Sequence, residues 1–212
     1  MKIHKIINLV AFENTYILEN DHGLLVVDPG SDWKKIERKL EELAKPVIAI
    51  LLTHTHYDHI MSLEKVREHY VAPLVYVADS ESSWLNTPTD NLSGLARHDD
   101  MEDIICRPAE EFFFYETDYD LGGFHFYVLQ TPGHSIGGVS LVFPDDRLVL
   151  TGDALFRESI GRTDLPTGNI EQLLTSIREK LLVLPKDYTV YPGHGNDTTI
   201  SHEKIFNPFL AQ

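Results

Sequence analysis

Along the first half of the chain, short unbroken apolar runs alternate with stretches in which apolar residues recur every three or four positions. Residues 1–12 hold a first apolar run that gives way to Glu13 and Asn14, which predicts a first strand. Residues 15–18 and 24–27 are two further runs, and the polar Glu19-Asn20-Asp21-His22-Gly23 between them predicts a hairpin. Asp28-Pro29-Gly30 stops the second of these strands. Ser31 or Asp32 then stands where a cap is needed for a helix whose Trp33, Ile36, Leu40 and Leu43 share one face. Pro46 ends that helix. The run Val47-Ile48-Ala49-Ile50-Leu51-Leu52 has no polar alternation, so it predicts a strand buried on both faces. Residues 62–70 return to helical spacing and residues 74–77 to a strand. This strand–helix–strand rhythm predicts a partly parallel sheet covered by helices.

Between residues 78 and 107 the pattern weakens, broken by Pro88, Asn91, Gly94 and several acids. The segment reads as a loop-rich excursion with short helices. It is either a surface connection or, through Trp84, Leu85, Leu92 and Leu95, one wall of a substrate pocket. The second half is mainly antiparallel in pattern, with runs at 112–115, 124–129, 139–143 and 148–150 and turns at Gly122-Gly123 and Asp145-Asp146. Asn169 and Gln172 match a capping box that opens a helix with Ile170, Leu173, Leu174, Ile177 and Leu181 on one side. Pro185 closes it, and residues 188–191 form a last strand. The whole predicts an α/β chain of two sheets packed together with helices outside, one domain over residues 1–212, without repeats or low-complexity segments.

Charge narrows the class of partner. Asp and Glu number 33 against 18 Lys and Arg, a formal charge of −15, which opposes phosphate backbones and anionic membranes. The expectation is an acidic, soluble protein that binds a small molecule and neither nucleic acid nor membrane, as a monomer or homodimer. No run approaches the ~20 apolar residues of a membrane span, and the N-terminus reads as a strand without a signal-peptide cleavage site. The single Cys106 makes no internal disulfide, which suits a reducing cytoplasm. It reads as a structural thiol.

The chemistry concentrates where the buried strand at 47–52 ends. Thr53-His54-Thr55-His56-Tyr57-Asp58-His59 places four candidate metal ligands within six residues. In an extended segment His54 and His56 point to the same side, while Asp58 and His59 follow the turn and can face a second ion. Imidazole and carboxylate suit zinc, iron or manganese, and the absence of thiolate argues against a closed structural zinc site. His134 in Pro132-Gly133-His134, Asp153 in Gly152-Asp153 and His194 in Pro192-Gly193-His194-Gly195 each follow a strand-like run and a glycine. This repeated design lets several loops deliver ligands to one edge of a sheet.

The sequence HxHxDH, followed by a lone His, a lone Asp and a lone His, resembles the metallo-β-lactamase superfamily over nearly the whole chain. The resemblance implies a four-layer αβ/βα sandwich. It assigns His54, His56 and His134 to a first metal, Asp58, His59 and His194 to a second, and Asp153 to the bridge between them, with Asp58 also catalytic. Two divalent ions, zinc by preference and iron or manganese as alternatives, would hold a bridging water that loses a proton near neutral pH and attacks an acyl carbon. Asp28 matches the family's first motif and either orients the ligand loops from behind or serves as an acid at a helix N-terminus. Tyr57 either donates to a substrate oxyanion or packs. Arg162 and Asp164 in Gly161-Arg162-Thr163-Asp164 resemble a loop motif of the glyoxalase II-like branch and read as a loop-fixing salt bridge. The remaining histidines, His4, His22, His69, His98, His125 and His202, read as surface or packing residues.

Within the superfamily these motifs, with Thr151-Gly152-Asp153-Ala154-Leu155-Phe156 and Asn207-Pro208-Phe209-Leu210, resemble the glyoxalase II-like hydrolases, so the expected substrates are thioesters of the S-lactoylglutathione type. Secreted β-lactamases usually lack the bridging Asp. RNA-cleaving members carry a further domain, and flavin-linked diiron members place Glu at the position of His56. The alternatives are a mononuclear iron persulfide dioxygenase, which commonly has Ala at the position of Tyr57, and a lactone or other ester hydrolase. Dedicated glyoxalase II enzymes continue into a basic helical domain that holds glutathione, whereas this sequence stops at Gln212, so weak discrimination between thiols is expected.

Overall fold

The computed structural model describes residues 1–71, 73–96 and 101–210; His98 lies outside the described residues. The chain divides into two compact units, Met1–Phe113 with Leu121–Gly123, and Phe114–Asp120 with Phe124–Gln212. Each contains one six-stranded mixed sheet.

In the first unit β1 (Lys2–Ile7), β2 (Asn14–Glu19) and β3 (Leu24–Val27) form an antiparallel meander. Helix α1 (Trp33–Leu43) then carries the chain back, so that β4 (Val47–Leu51) pairs parallel to β3. After α2 (Tyr57–Ile60) and α3 (Leu63–His69), β5 (Leu74–Val77) pairs parallel to β4, and β6 (Glu111–Phe112) parallel to β5. The run at 112–115, expected in the antiparallel half, therefore supplies a two-residue edge strand of this mixed sheet, paired parallel to β5. Ile36 and Leu40, one helical turn apart on α1, pack with Ile17, Val26, Ile50 and Val66 in a single core. Each fully buried aliphatic side chain there contributes about 1.5–3 kcal/mol of transfer free energy. The side chains of alternate parity, Leu25, Val27 and Leu51, are also fully buried, which explains why β3 and β4 read as unbroken apolar runs. Neither expected cap of α1 acts through its side chain: Asp32 pairs with Lys35 at 2.6 Å, and Ser31 Oγ accepts from the Val10 N–H at 3.1 Å.

The second unit contains β7 (Asp118–Leu121), β8 (Phe124–Gln130), β9 (Val139–Phe143) and β10 (Leu148–Gly152), then a small hairpin of β11 (Leu155–Phe156) and β12 (Ser159–Ile160). Helix α4 (Ile170–Ser176) is capped as its sequence predicts, with Asn169 Oδ1 accepting from the Gln172 N–H at 3.0 Å. It runs on into a π-helical turn, Ile177–Leu181. Strand β13 (Thr189–Pro192) returns parallel to β10, and β14 (Thr198–Thr199) leads into α5 (Ile200–Phe206). The hairpin β11–β12, strand β14 and helix α5 have too few periodic residues to be expected from pattern.

Strand direction places the ligand loops. β8 and β10 are both antiparallel to β9, and β13 is parallel to β10, so all three end at the same edge of their sheet. His134, Asp153 and His194 follow those three ends. In the first unit β3 and β4 are parallel neighbours, and Asp28 and Thr53-His54 follow their ends. Sites gather at carboxyl ends of strands because there the backbone leaves the ladder and side chains from adjacent loops converge. Among the described residues no helix is long and apolar enough to cross a membrane.

Candidate metal centre

The first unit supplies His54, His56, Asp58 and His59, all buried. The His54 and His56 rings lie 4.8 Å apart, as side-chain alternation requires, and the His54 and His59 rings lie 4.1 Å apart. Behind them stands Asp28, in a left-handed backbone conformation with φ of 49°. Its carboxylate accepts from the Thr53 N–H at 2.8 Å and from Thr53 Oγ1 at 2.6 Å, and its Oδ2 lies 3.1 Å from His59 Nδ1. Of the two roles open to Asp28 on sequence, the contacts are those of a group that orients the ligand loop; α1 begins after Asp32.

These contacts assign protons. The Thr53 hydroxyl proton goes to Asp28, so the 3.2 Å contact between Thr53 Oγ1 and His54 Nδ1 is made with Nδ1 as the donor. His59 Nδ1 likewise donates to Asp28. In the neutral form of both rings Nε2 then carries the lone pair, and His59 Nε2 faces Asp58 Oδ2 at 3.7 Å. Glu13, fully buried beside His59 with Oε1 3.9 Å from Nδ1, is a member of this region that pattern did not single out. Burial, opposed by the nearby His59, pushes its carboxyl well above the usual range. Its Oε2 accepts from Asn8 Nδ2 at 2.6 Å, and Gly30 leaves the room: a Cβ there would collide with Glu13 Oε2.

The second unit shows the same arrangement. His134 Nδ1 donates to the Arg162 carbonyl at 2.8 Å, which leaves Nε2 as the lone pair, 3.4 Å from Asp153 Oδ2. His194 Nε2 lies 3.3 Å from that same oxygen. The same carboxylate oxygen, Oδ2, faces both imidazoles. Arg162 thus acts on His134 through its backbone, while its side chain makes the expected salt bridge to Asp164, with bonds of 2.7 Å and both groups exposed. Such a pair fixes a loop and adds little stability.

The lone-pair nitrogen of a neutral imidazole and a carboxylate oxygen facing each other at 3.4–3.7 Å, as in His134–Asp153 and His59–Asp58, repel unless a cation lies between them. Two donors each about 2.0–2.2 Å from one tetrahedral ion are roughly 3.4 Å apart, so the donor set suits a divalent metal. The other singled-out residues have plainer surroundings. Tyr57 is half-buried at the first position of α2, its N–H bonded to the Asn91 carbonyl at 2.8 Å. His202 on α5 bonds Glu158 at 2.8 Å, and His4 bonds Glu19 at 2.9 Å. Cys106 is buried, and desolvation pushes its thiol up to about 12.

Known proteins match both the sequence and the fold. A probable metallo-hydrolase of Streptococcus pyogenes serotype M6 is 60% identical over 99% of this chain and 90% of its own length. A hydroxyacylglutathione hydrolase of Haemophilus influenzae is 32% identical, covering 97% of each. Among solved structures, the B3 metallo-β-lactamase BLEG-1 superposes with a TM-score of 0.94 at 37% identity over the whole of both chains. TTHA1623 in a di-iron-bound form gives 0.83 at 32% identity, over 98% of this chain and 100% of the other. Residues 9–194 match the family model of the metallo-β-lactamase superfamily, and the chain belongs to that superfamily.

Proposed function

We propose that the chain is a dinuclear metal-dependent hydrolase of thioesters of the S-lactoylglutathione type. The observation that supports this best is the pairing of imidazole nitrogens with carboxylate oxygens, in particular Asp153 Oδ2, which lies 3.4 Å from His134 Nε2 and 3.3 Å from His194 Nε2. In this reading His54, His56 and His134 would hold one ion, Asp58, His59 and His194 the other, and Asp153 would serve both. Zinc is the proposed metal, although a similar protein has been solved with two irons. Two divalent ions in such a site supply an acidic water near an acyl carbon and positive charge for the developing oxyanion.

The chain's own residues set the geometry. Asp28 and the Arg162 carbonyl hold the Nδ1 protons of His59 and His134 and so aim their Nε2 atoms. Tyr57, between His56 and Asp58 in sequence, is the proposed donor to the acyl oxygen. A thiolate leaving group, with a parent pKa of about 8.5, departs without a strong acid, and this reading assigns no residue to that task. The hydroxyacylglutathione hydrolase relative aligns with this chain over 97% of the length of each, which supports a substrate of the same class.

β-Lactam hydrolysis is a second reading, favoured by the likeness to BLEG-1. Both reactions attack an acyl carbon, so a substrate panel on zinc-replete protein separates them: S-lactoylglutathione, the same acyl group on a small thiol, a lactone and a chromogenic cephalosporin. The expected result is thioester turnover with kcat/KM for the two thiols within ~10-fold, about 1.4 kcal/mol of differential binding, and far slower cephalosporin cleavage. Asp58→Ala and Asp153→Ala should each lower it by ~100-fold or more with circular dichroism unchanged. Cephalosporin cleavage that exceeds thioester turnover defeats the thioester reading. Oxygen uptake with a persulfide and one iron per chain defeats the hydrolase reading.

A further inference from the structure

The stretch Thr53-His54-Thr55-His56 alternates threonine with histidine, and each threonine is held by one buried carboxylate. Asp28 takes the N–H and hydroxyl of Thr53. Glu81 takes the same two groups of Thr55, with Oε2 2.8 Å from the N–H and 3.0 Å from Oγ1. Thr55 and Glu81 have no exposed surface at all. Glu81 comes from a 3₁₀ segment, Asp79–Asn86, inside the stretch whose pattern is weakest. That segment makes two more ties to the ligand loop. The Trp84 ring stacks on His56 at 6.1 Å and 20°, and Asn91, which bonds the Trp84 carbonyl through Nδ2 at 3.0 Å, accepts the Tyr57 N–H.

We infer that Glu81 is a positioning residue for the metal position that His54 and His56 serve, the counterpart of Asp28 on the other threonine, and that residues 79–91 brace this loop. The inference rests on the metal-centre reading above. Thr55 is the intermediary because it lies between His54 and His56, so a carboxyl group that grips both its N–H and its hydroxyl sets the backbone between two proposed ligands without competing for the ion. A buried carboxylate is costly to desolvate, and a simple loop staple needs only one neutral acceptor for the Thr55 N–H. Here one carboxyl oxygen takes both the N–H and the hydroxyl, which fixes the Thr55 side chain as well as its backbone.

The test is uptake of zinc by metal-free protein in competition with a chromophoric chelator, which resolves the two equivalents, together with thermal unfolding of the metal-free variants. Glu81→Gln keeps an acceptor for the Thr55 N–H and replaces the carboxyl group by an amide. It is expected to weaken one equivalent 10–100-fold, to leave the other within about threefold, and to keep the metal-free Tm within a few degrees. Thr55→Val should weaken the same equivalent, and Thr55→Ser should restore it. Two equivalents bound as in the wild type by both Glu81→Gln and Thr55→Val would overturn the inference. So would equal weakening of both equivalents with a matching fall in metal-free Tm, since Glu81 would then support the fold alone. A wild-type chain that takes up no zinc defeats the metal-centre reading itself, an outcome separate from a failure confined to the variants.

Discussion

Two residues show how much of the site depends on backbone shape. Asp28 adopts a left-handed conformation that costs a non-glycine residue of order 1 kcal/mol, and the three contacts of its carboxylate offset that strain. Gly161 has the opposite requirement: a Cβ there would run into the Asp153 carbonyl and stand 3.2 Å from His134 Cβ. Gly161→Ala should therefore displace two proposed ligands at once. Zinc content measured by elemental analysis after dialysis is expected to fall by at least half, with far-ultraviolet circular dichroism unchanged; full zinc content would mean that the loop yields without moving His134. Cys106 is inert for the converse reason. Its thiol, raised to about 12 by burial, stays protonated at pH 8, so a disulfide reagent should label it only in denaturant.

At the scale of elements, charge pairs join segments that hydrophobic pattern leaves separate. Glu19, at the end of β2, bonds His4 on β1 at 2.9 Å and Lys45 before β4 at 2.8 Å. The Lys45 bond first, then that of His4, holds its carboxyl down at about 2. A depressed carboxyl contributes stability above its unfolded pKa and loses it as pH falls through the folded value. The Tm difference between wild type and Glu19→Gln should be constant from pH 7 to about 5 and shrink between about pH 4.5 and 2. A difference that persists at pH 2 would assign the effect to packing. The cap of α4 is a separate case. Asn169→Ala removes its bond to Gln172 and should cost about 1 kcal/mol in denaturant unfolding, with no change in zinc binding.

At the scale of the whole molecule, ligands that bind only the folded state stabilise it in proportion to the logarithm of their concentration over Kd. At a free zinc level of 100 Kd a single site adds about 2.7 kcal/mol. Chelation should therefore lower Tm by several degrees, and readdition of zinc should restore it. An unchanged Tm would mean that no tight metal site forms. In the Glu37, Glu41 and His69 cluster of the first unit the contacts of His69 to the two acids are 3.8–4.0 Å, and Glu37 is held by Lys34 at 2.9 Å, so the proposed stabilisation is assigned to the centre described above.

Local chemistry by itself determined the elements with strong period and clear stops: the β2–β3 hairpin, α1, the doubly buried β4 and the capped α4. It also determined the candidate ligands, because His54-Thr55-His56 at the end of an apolar run and glycine-flanked His134, Asp153 and His194 are set by alternation and turn chemistry within a few residues. Tertiary structure decided what those rules do not reach. The parallel pairing of β13 with β10 depends on a crossover through α4, and the placement of β6 depends on which edge lay open after β5. The partners of the candidate ligand loops are contacts across long separations in the chain: Glu81 on Thr55, 26 residues apart, and the Arg162 carbonyl on His134, 28 residues apart. A buried acid in a segment without period, and a backbone carbonyl that any residue could supply, have no signature in sequence; only the folding of the chain brings them to the loops that they hold.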